Sequence, residues 1–407
     1  MNRPFTTFQL IAKPSGSVCN IDCSYCFYLE KERLYPERKS HWKMDDDTLE
    51  RYIRQHLAAQ QAEVVDFIWQ GGEPTLMGID YFARAMALQA RYRGNKRINN
   101  FLQTNGTRLD EEWARFLKQH NFLVGISLDG DRRSNDAHRL TRAGSSTYDQ
   151  VIKGMALLKR YGVEFNTLTV VNAENVKRPL DVYHALKRAG SRYMQYIPLV
   201  ERQASVAGPD GLTLIAPDFS GQCRVTEWSV PPNAYGAFLN KIFDHWLLHD
   251  LGEVFVMNFE QTLTQLTGGI GSCVSAEKCG GNVVLEANGD LFSCDHFVYP
   301  QHKLGNIHQT DIADLVNSPQ NITFGSDKLN NISVECLTCS VRSLCHGGCP
   351  KHQFEISQNG LPNKNYFCGD YKKYFTHTLP AMNTLIELMQ AGKTPGRIRR
   401  YFRTQQR

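Results

Sequence analysis

Long apolar runs are missing from this chain. No stretch reaches the ~18 residues that a membrane-spanning helix needs, so no transmembrane segment is expected. The N-terminal run Met1-Asn2-Arg3-Pro4-Phe5-Thr6-Thr7-Phe8 also lacks the apolar core of a secretion signal. The expected location is therefore the cytoplasm, where thiols stay reduced and clustered cysteines argue for metal rather than disulfides. A basic footprint for nucleic acid is absent as well. The net charge is +5, but Lys393, Arg397, Arg399, Arg400, Arg403 and Arg407 put six positive charges and no acid into the last fifteen residues, and without them the balance is −1. That tail reads as a solvated, frayed end. No repeat of fixed period is visible. What remains is ordinary globular composition, 42% hydrophobic and 21% charged, and 407 residues suggest two or three domains.

The cysteines depart from this background. Cys19, Cys23 and Cys26 form C-x3-C-x2-C with no fourth cysteine nearby. A structural zinc site wants four protein ligands, and a cubane iron–sulfur cluster has four irons that each ask for one. Three thiolates on four irons leave one iron open to a substrate. The triplet follows the apolar run Phe8-Gln9-Leu10-Ile11-Ala12-Lys13-Pro14, which places it on the loop leaving a first strand. Eight more cysteines form a second block: Cys273, Cys279 and Cys294, then Cys336, Cys339, Cys345 and Cys349, then Cys368. Eight thiolates divide into two tetracysteine sites. Zinc is the plain reading of such pairs, and iron–sulfur gains weight from the triplet. Cys223 lies in neither block and reads as a bystander thiol.

Strand-like and helix-like segments alternate through the first half. Helices are expected at 45–59, 79–93, 110–119, 147–161 and 176–189. The strands are the run before the triplet, Val64–Trp69, the segment through Phe101-Leu102, Phe122–Leu128, 163–171 and Tyr193–Pro198. Six strands with five intervening helices imply parallel βαβ units with right-handed crossovers, closing as a partial (β/α)6 barrel. Chemistry in such folds gathers at the carboxyl ends of the strands, where the triplet, Gly71–Pro74, Thr104–Gly106 and Ser127–Gly130 all fall. Residues 200–232 lose the pattern and read as a connector. Helices near 234–250 and 258–267 follow, then a hairpin around Glu286-Ala287-Asn288-Gly289-Asp290, then a final helix at 377–391.

The triplet with Phe27 and Tyr28 resembles the signature of radical S-adenosylmethionine (SAM) enzymes, and the eight-cysteine block resembles their SPASM domain. With Gln70-Gly71-Gly72-Glu73-Pro74, Leu102-Gln103-Thr104-Asn105-Gly106, Ser127-Leu128-Asp129-Gly130 and Cys294-Asp295-His296-Phe297, the combination resembles the anaerobic sulfatase-maturating enzymes. The resemblance implies an α/β fold: a radical SAM barrel with its connector over 1–232, bridging helices over 233–272, a SPASM domain over 273–376 and a C-terminal helix with the basic tail over 377–407. It implies SAM and three [4Fe–4S] clusters as cofactors. Cys19, Cys23 and Cys26 would hold the first, Cys273, Cys279, Cys294 and Cys349 the second, and Cys336, Cys339, Cys345 and Cys368 the third.

Read from the residues alone, Gly71 and Gly72 permit close backbone approach to a ligand, although such a turn is more often only a turn. Ser127 suits the SAM carboxylate or ribose. Arg139, ahead of Arg142, suits the carboxylate, because guanidinium binds it in two-pronged fashion. Asn105 sits at a strand's carboxyl end. The resemblance adds Tyr25, Glu73 and Pro74 to the SAM site, sets Tyr28 and Gln70 facing a peptide, and makes Asp295 the catalytic base. Beside a cluster cysteine, Asp295 is expected to be partly desolvated with a raised pKa, which fits a base; the rival reading is an acid capping the hairpin end. The implied reaction turns a Cys or Ser in a Cys/Ser-x-Pro-x-Arg segment of a sulfatase into formylglycine without oxygen. A flavodoxin or ferredoxin would supply electrons, and neither nucleic acid nor membrane would be a partner. Two alternatives stand beside it: a SPASM enzyme crosslinking or epimerising a ribosomal peptide, and a zinc-stabilised binding protein.

Overall fold

The computed structural model describes residues 5–35, 41–204, 213–219 and 221–405. The N-terminal residues 1–4, the middle of the expected connector (205–212 and 220) and Arg407 of the tail lie outside the described residues.

Six parallel strands carry the first half: β1 (Gln9–Lys13), β2 (Val64–Trp69), β3 (Arg97–Thr104), β4 (Leu123–Ser127), β5 (Phe165–Val171) and β6 (Tyr193–Pro198). Between them run α1 (Asp46–Ala59), α2 (Ile79–Tyr92), α3 (Glu111–Gln119), α4 (Tyr148–Tyr161) and α5 (Pro179–Arg188). Side-chain caps start two of these helices: Asp45 accepts the amide of Thr48 at 2.8 Å and Asp110 that of Trp113 at 2.9 Å. Along β2 the buried residues are Val65, Phe67 and Trp69. Trp69 stands edge-on to Tyr52 of α1 and Phe82 of α2, each ring centroid 5.6 Å away. This face packs the helix layer, and the other is left for the interior of the barrel. The strand order β6-β5-β4-β3-β2-β1 is sequential, so all six carboxyl ends open on one side.

The sheet does not stop at β1. β7 (Asn282–Glu286), the first arm of the expected hairpin, pairs parallel with β1 in the register Gln9↔Asn282 to Lys13↔Glu286. β8 (Asp290–Phe292) and β9 (Lys303–Asn306) follow antiparallel. With Phe255–Val256 beyond β6, one sheet of ten strands runs through both halves among the described residues. The hairpin is therefore part of the barrel's own sheet.

Two helices bridge the halves, α6 (Ala234–His249) and α7 (Met257–Leu266), and α8 (Pro319–Asn330) lies within the cysteine-rich region. The last long helix, α9 (Cys368–Gln390), starts nine residues earlier than the expected 377. Its first turn is tied down because Asp370 accepts the amides of Asn233 and Gly236 at 2.9 and 2.8 Å, capping α6 as well. The tail corrects the reading of a frayed end. Pro395–Gln405 forms α10, with Ile398 buried. Arg403 donates to the Leu248 carbonyl at 2.8 Å and Arg399 to those of His249 and Leu251 at 3.4 and 3.1 Å. The carbonyls of Leu248 and His249 end α6, where cations are favoured. Among the described residues no helix is long and apolar enough to cross a membrane.

Candidate active site

At the open end of the strands lies a cavity of about 230 Å³. Cys19, Cys23 and Cys26 line it, together with Tyr25, Gly71, Gly72, Asn105, Ser127 and Arg139; Tyr28, Gln70 and Asp295 line it too. Glu73 and Pro74 are buried behind the wall.

The triplet is held by backbone pairing and by donors aimed at sulfur. Ile21–Cys23 pairs antiparallel with Arg139–Thr141, bringing Cys23 opposite Arg139. Arg139 Nη1 faces Cys23 Sγ at 3.9 Å and Asn105 Nδ2 faces Cys19 Sγ at 3.6 Å. Arg142 instead donates to the Cys19 carbonyl at 2.7 Å. Burial pushes the thiols of Cys19 and Cys23 up to about 11 and about 12. Such thiols ionise at neutral pH only when a metal centre takes the place of the proton. N–H groups directed at sulfur fit thiolates ligating a cluster. Among the described residues no three His, Cys, Asp or Glu close around a single ion; a cubane offers each sulfur its own iron.

Asp129, fully buried, ties the SAM-side residues together. It accepts the Tyr25 hydroxyl at 2.6 Å and the Val170 amide at 3.0 Å, and it pairs with Arg139 Nε at 3.0 Å. One edge of the Arg139 guanidinium is thus engaged by Asp129. Ser127 Oγ accepts from Gln103 Nε2 at 3.0 Å. The glycines also serve a close approach within the chain itself. A Cβ on Gly72 would lie 2.0 Å from the Val18 carbonyl oxygen, and one on Gly71 2.9 Å from that of Gly16. They admit the cysteine loop itself, clamped by Gly72 N to Gly16 O at 2.7 Å and Glu73 N to Val18 O at 2.9 Å. Glu73 braces the neighbouring loop, accepting the amides of Thr75 and Asn105 at 3.0 and 2.7 Å and the hydroxyls of Thr75 and Thr104, both at 2.7 Å.

The same cavity is lined by a lysine, Lys13, that the sequence alone does not single out. Lys13, at the end of β1 and 1% exposed, pairs with Asp295 at 2.6 Å. Its ammonium sits 3.8 Å over the Tyr28 ring, and the Tyr28 hydroxyl donates to Glu286, which stands opposite Lys13 in the β1–β7 register. The expectation of a raised Asp295 pKa is corrected here. Burial pushes this carboxyl up, but Lys13, with His296 and Lys31, outweighs burial and holds it below the ordinary carboxylate value. Lys351, which lines the same cavity, pairs with Glu201 and stands 4.5 Å over Phe27.

Glu286 carries the opposite shift. Burial, reinforced by Asp295 and Asp290 and opposed by Lys13, pushes it from 4.5 to about 8. The folded protein then keeps a proton that the unfolded chain has released, so this group's contribution to stability declines as pH rises from about 4.5 to about 8. Glu286→Gln is expected to remove that part of the decline, and urea midpoints of both proteins at pH 6 and pH 8.5 check it.

The eight later cysteines fall into two spatial groups. Cys336, Cys339, Cys345 and Cys368 line one small cavity. Cys294 and Cys349 lie within reach of Cys273, which also stands near Cys279. His296 Nδ1, from the cavity wall, reaches Cys349 Sγ at 3.7 Å. Cys223 sits apart, on a short strand paired with Arg202–Ala204.

Comparison with known proteins agrees with this geometry. Residues 14–186 match the radical SAM superfamily and residues 273–340 an iron-sulfur cluster-binding domain, SPASM. A serine-type anaerobic sulfatase-maturating enzyme of Bacteroides thetaiotaomicron is 38% identical over 390 residues, covering 96% of this chain and 94% of that one. The chain belongs to the anaerobic sulfatase-maturating enzyme family. Another member, the cysteine-type enzyme of Clostridium novyi, is 34% identical over 378 residues, 91% of this chain and 94% of its own. The solved structure of native anSMEcpe with bound AdoMet and Cp18Cys peptide superposes with a TM-score of 0.81 at 31% identity, covering 94% of this chain and 99% of that one. SuiB of Streptococcus suis bound to its precursor peptide SuiA, 15% identical with a TM-score of 0.58 and coverage of 89% and 76%, shares the fold alone. The chain is thus a radical SAM enzyme whose cofactors are SAM, a [4Fe–4S] cluster and further iron–sulfur clusters in its second domain.

Proposed function

We propose that this enzyme converts the cysteine or serine of a Cys/Ser-x-Pro-x-Arg segment in a sulfatase to formylglycine without oxygen. One observation carries the reading: a single cavity is lined both by the cysteine triplet and by Tyr28, Gln70 and Asp295. A peptide side chain entering it meets both sets of groups. When bound, SAM and the three clusters supply hydrogen abstraction and one-electron transfer. In this reading Cys19, Cys23 and Cys26 hold the first cluster. Gly71, Gly72, Asn105, Ser127, Arg139 and Tyr25 frame SAM, with Glu73 and Pro74 bracing that frame from behind. Tyr28 and Gln70 orient the peptide. Asp295, kept ionised and aimed by Lys13, takes the side-chain proton. The two tetracysteine groups hold the auxiliary clusters. The electron donor is a flavodoxin or ferredoxin of the cytoplasm, a setting in keeping with twelve free cysteines.

The test is anaerobic incubation of reconstituted enzyme, SAM and reductant with peptides carrying Cys-x-Pro-x-Arg or Ser-x-Pro-x-Arg. Mass spectrometry should show the mass of formylglycine in at least one of them. Unchanged peptides with continued SAM cleavage would overturn the substrate assignment.

A further inference from the structure

Lys328, on α8, is 2% exposed, and no carboxylate pairs with it among the described residues. Its ammonium donates to two carbonyls, Cys273 at 3.2 Å and Val274 at 2.9 Å. A buried cation satisfied only by neutral groups is costly and calls for a nearby anion. The groups that act on it are sulfurs: Cys279, Cys349 and Cys273 from one tetracysteine group, and Cys345 from the other.

The helix that carries it has no freedom to back away. The Cys279 amide donates to the Gly325 carbonyl at 3.0 Å, and Asn321 Nδ2 donates to Gly280 O at 2.9 Å. A Cβ on Gly325 would stand 2.6 Å from the Cys279 carbonyl oxygen. Helix and cysteine loop are therefore locked at backbone distance, and the ammonium is fixed against the loop from Cys273 to Cys279. Four thiolates around a cubane make a buried anion, and reduction adds one more negative charge. A fixed positive charge beside it stabilises the reduced form more than the oxidised form.

We propose that Lys328 sets the reduction potential of the cluster held by Cys273, Cys279, Cys294 and Cys349, raising it so that this cluster accepts the electron leaving the substrate. The proposal rests on the ligand grouping and on the substrate reading above. The potential itself is measured without any peptide, so the two fail separately.

The experiment is potentiometry of the anaerobically reconstituted full chain, followed by electron paramagnetic resonance, on wild type, Lys328→Met, Lys328→Gln and Lys328→Arg. A Cys273→Ala variant identifies which signal belongs to the nearer cluster. Methionine and glutamine are expected to lower that cluster's reduction equilibrium at least tenfold, ~59 mV for one electron. The Cys336 group should shift less, the triplet cluster should stay put, and arginine should restore the wild-type value. Unchanged potentials in iron-replete Met and Gln variants would overturn the proposal. So would loss of iron in both with full recovery in Arg, because the charge would then serve to hold the ligand loop. Failure of the peptide assay with the shift intact would remove the substrate reading and leave the tuning role.

Discussion

Asp295→Asn is expected to lower formylglycine formation by roughly 10²–10⁴-fold, the usual worth of a positioned base, while SAM is still cleaved. The substitution keeps shape and removes the ability to take a proton. Cys294 is untouched, so the iron content should remain at about twelve per chain for three cubanes. Lys13 loses its 2.6 Å partner, and Glu286, whose pKa the Asp295 charge helps to raise, ionises more readily once that charge is gone, which limits the electrostatic damage. The readout is the ratio of peptide converted to SAM consumed, since a misfolded variant would lose both together. Turnover close to wild type would remove Asp295 from the chemistry and return it to the role of an ion-paired structural acid.

Gly72→Ala is expected to be more drastic. Its new Cβ would fall 2.0 Å from the Val18 carbonyl oxygen, 2.4 Å from the Val18 carbonyl carbon and 2.6 Å from the Ser17 oxygen. These are backbone atoms and no flexible side chain can yield, so the loop must move by about an ångström to regain ordinary contact. That movement breaks the two hydrogen bonds joining Gly72 and Glu73 to Gly16 and Val18, and Val18 immediately precedes Cys19. The protein should lose about four of its twelve irons and all SAM cleavage, yet keep the auxiliary signals. Gly396→Ala, whose Cβ meets nothing within 4 Å, is the neutral control. Iron analysis and electron paramagnetic resonance decide. A Gly72→Ala protein with a full iron complement and normal cleavage would show that the clamp is dispensable.

Much of the barrel was legible because each of its signals is local. Asp45 and Asp110 cap helices within three residues of themselves, and β2 alternates buried residues within a single hexamer. The cysteine spacings are equally local, and they drew attention to the loops that do meet in one cavity. What stayed hidden depends on distant partners. Lys13 reads as an unremarked lysine at a strand end, and only Asp295 and Glu286, over 270 positions later, explain its burial. The same pairing reverses the shift anticipated for Asp295, since desolvation can be guessed from a neighbouring cysteine but a counterion from β1 cannot. The arginine-rich tail looked solvated because its acceptors are the terminal carbonyls of α6, which composition does not record. Gly72 pointed to close approach, and the approach in the structure is that of the chain's own cysteine loop.

The pairing of β1 with β7 also fixes an order of events at the ribosome. The edge of the first strand has no parallel partner on that side until residue 286 has emerged, roughly 15–50 s after Lys13 at ordinary rates of synthesis. Throughout that interval the nascent chain carries an open sheet edge, the kind of surface that invites wrong pairing. The cysteine loop that leaves this strand is seated from the first half alone, by Gly72, Glu73 and the Arg139–Thr141 segment, so the seat of the triplet is built before Glu286 and Asp295 arrive beside Lys13.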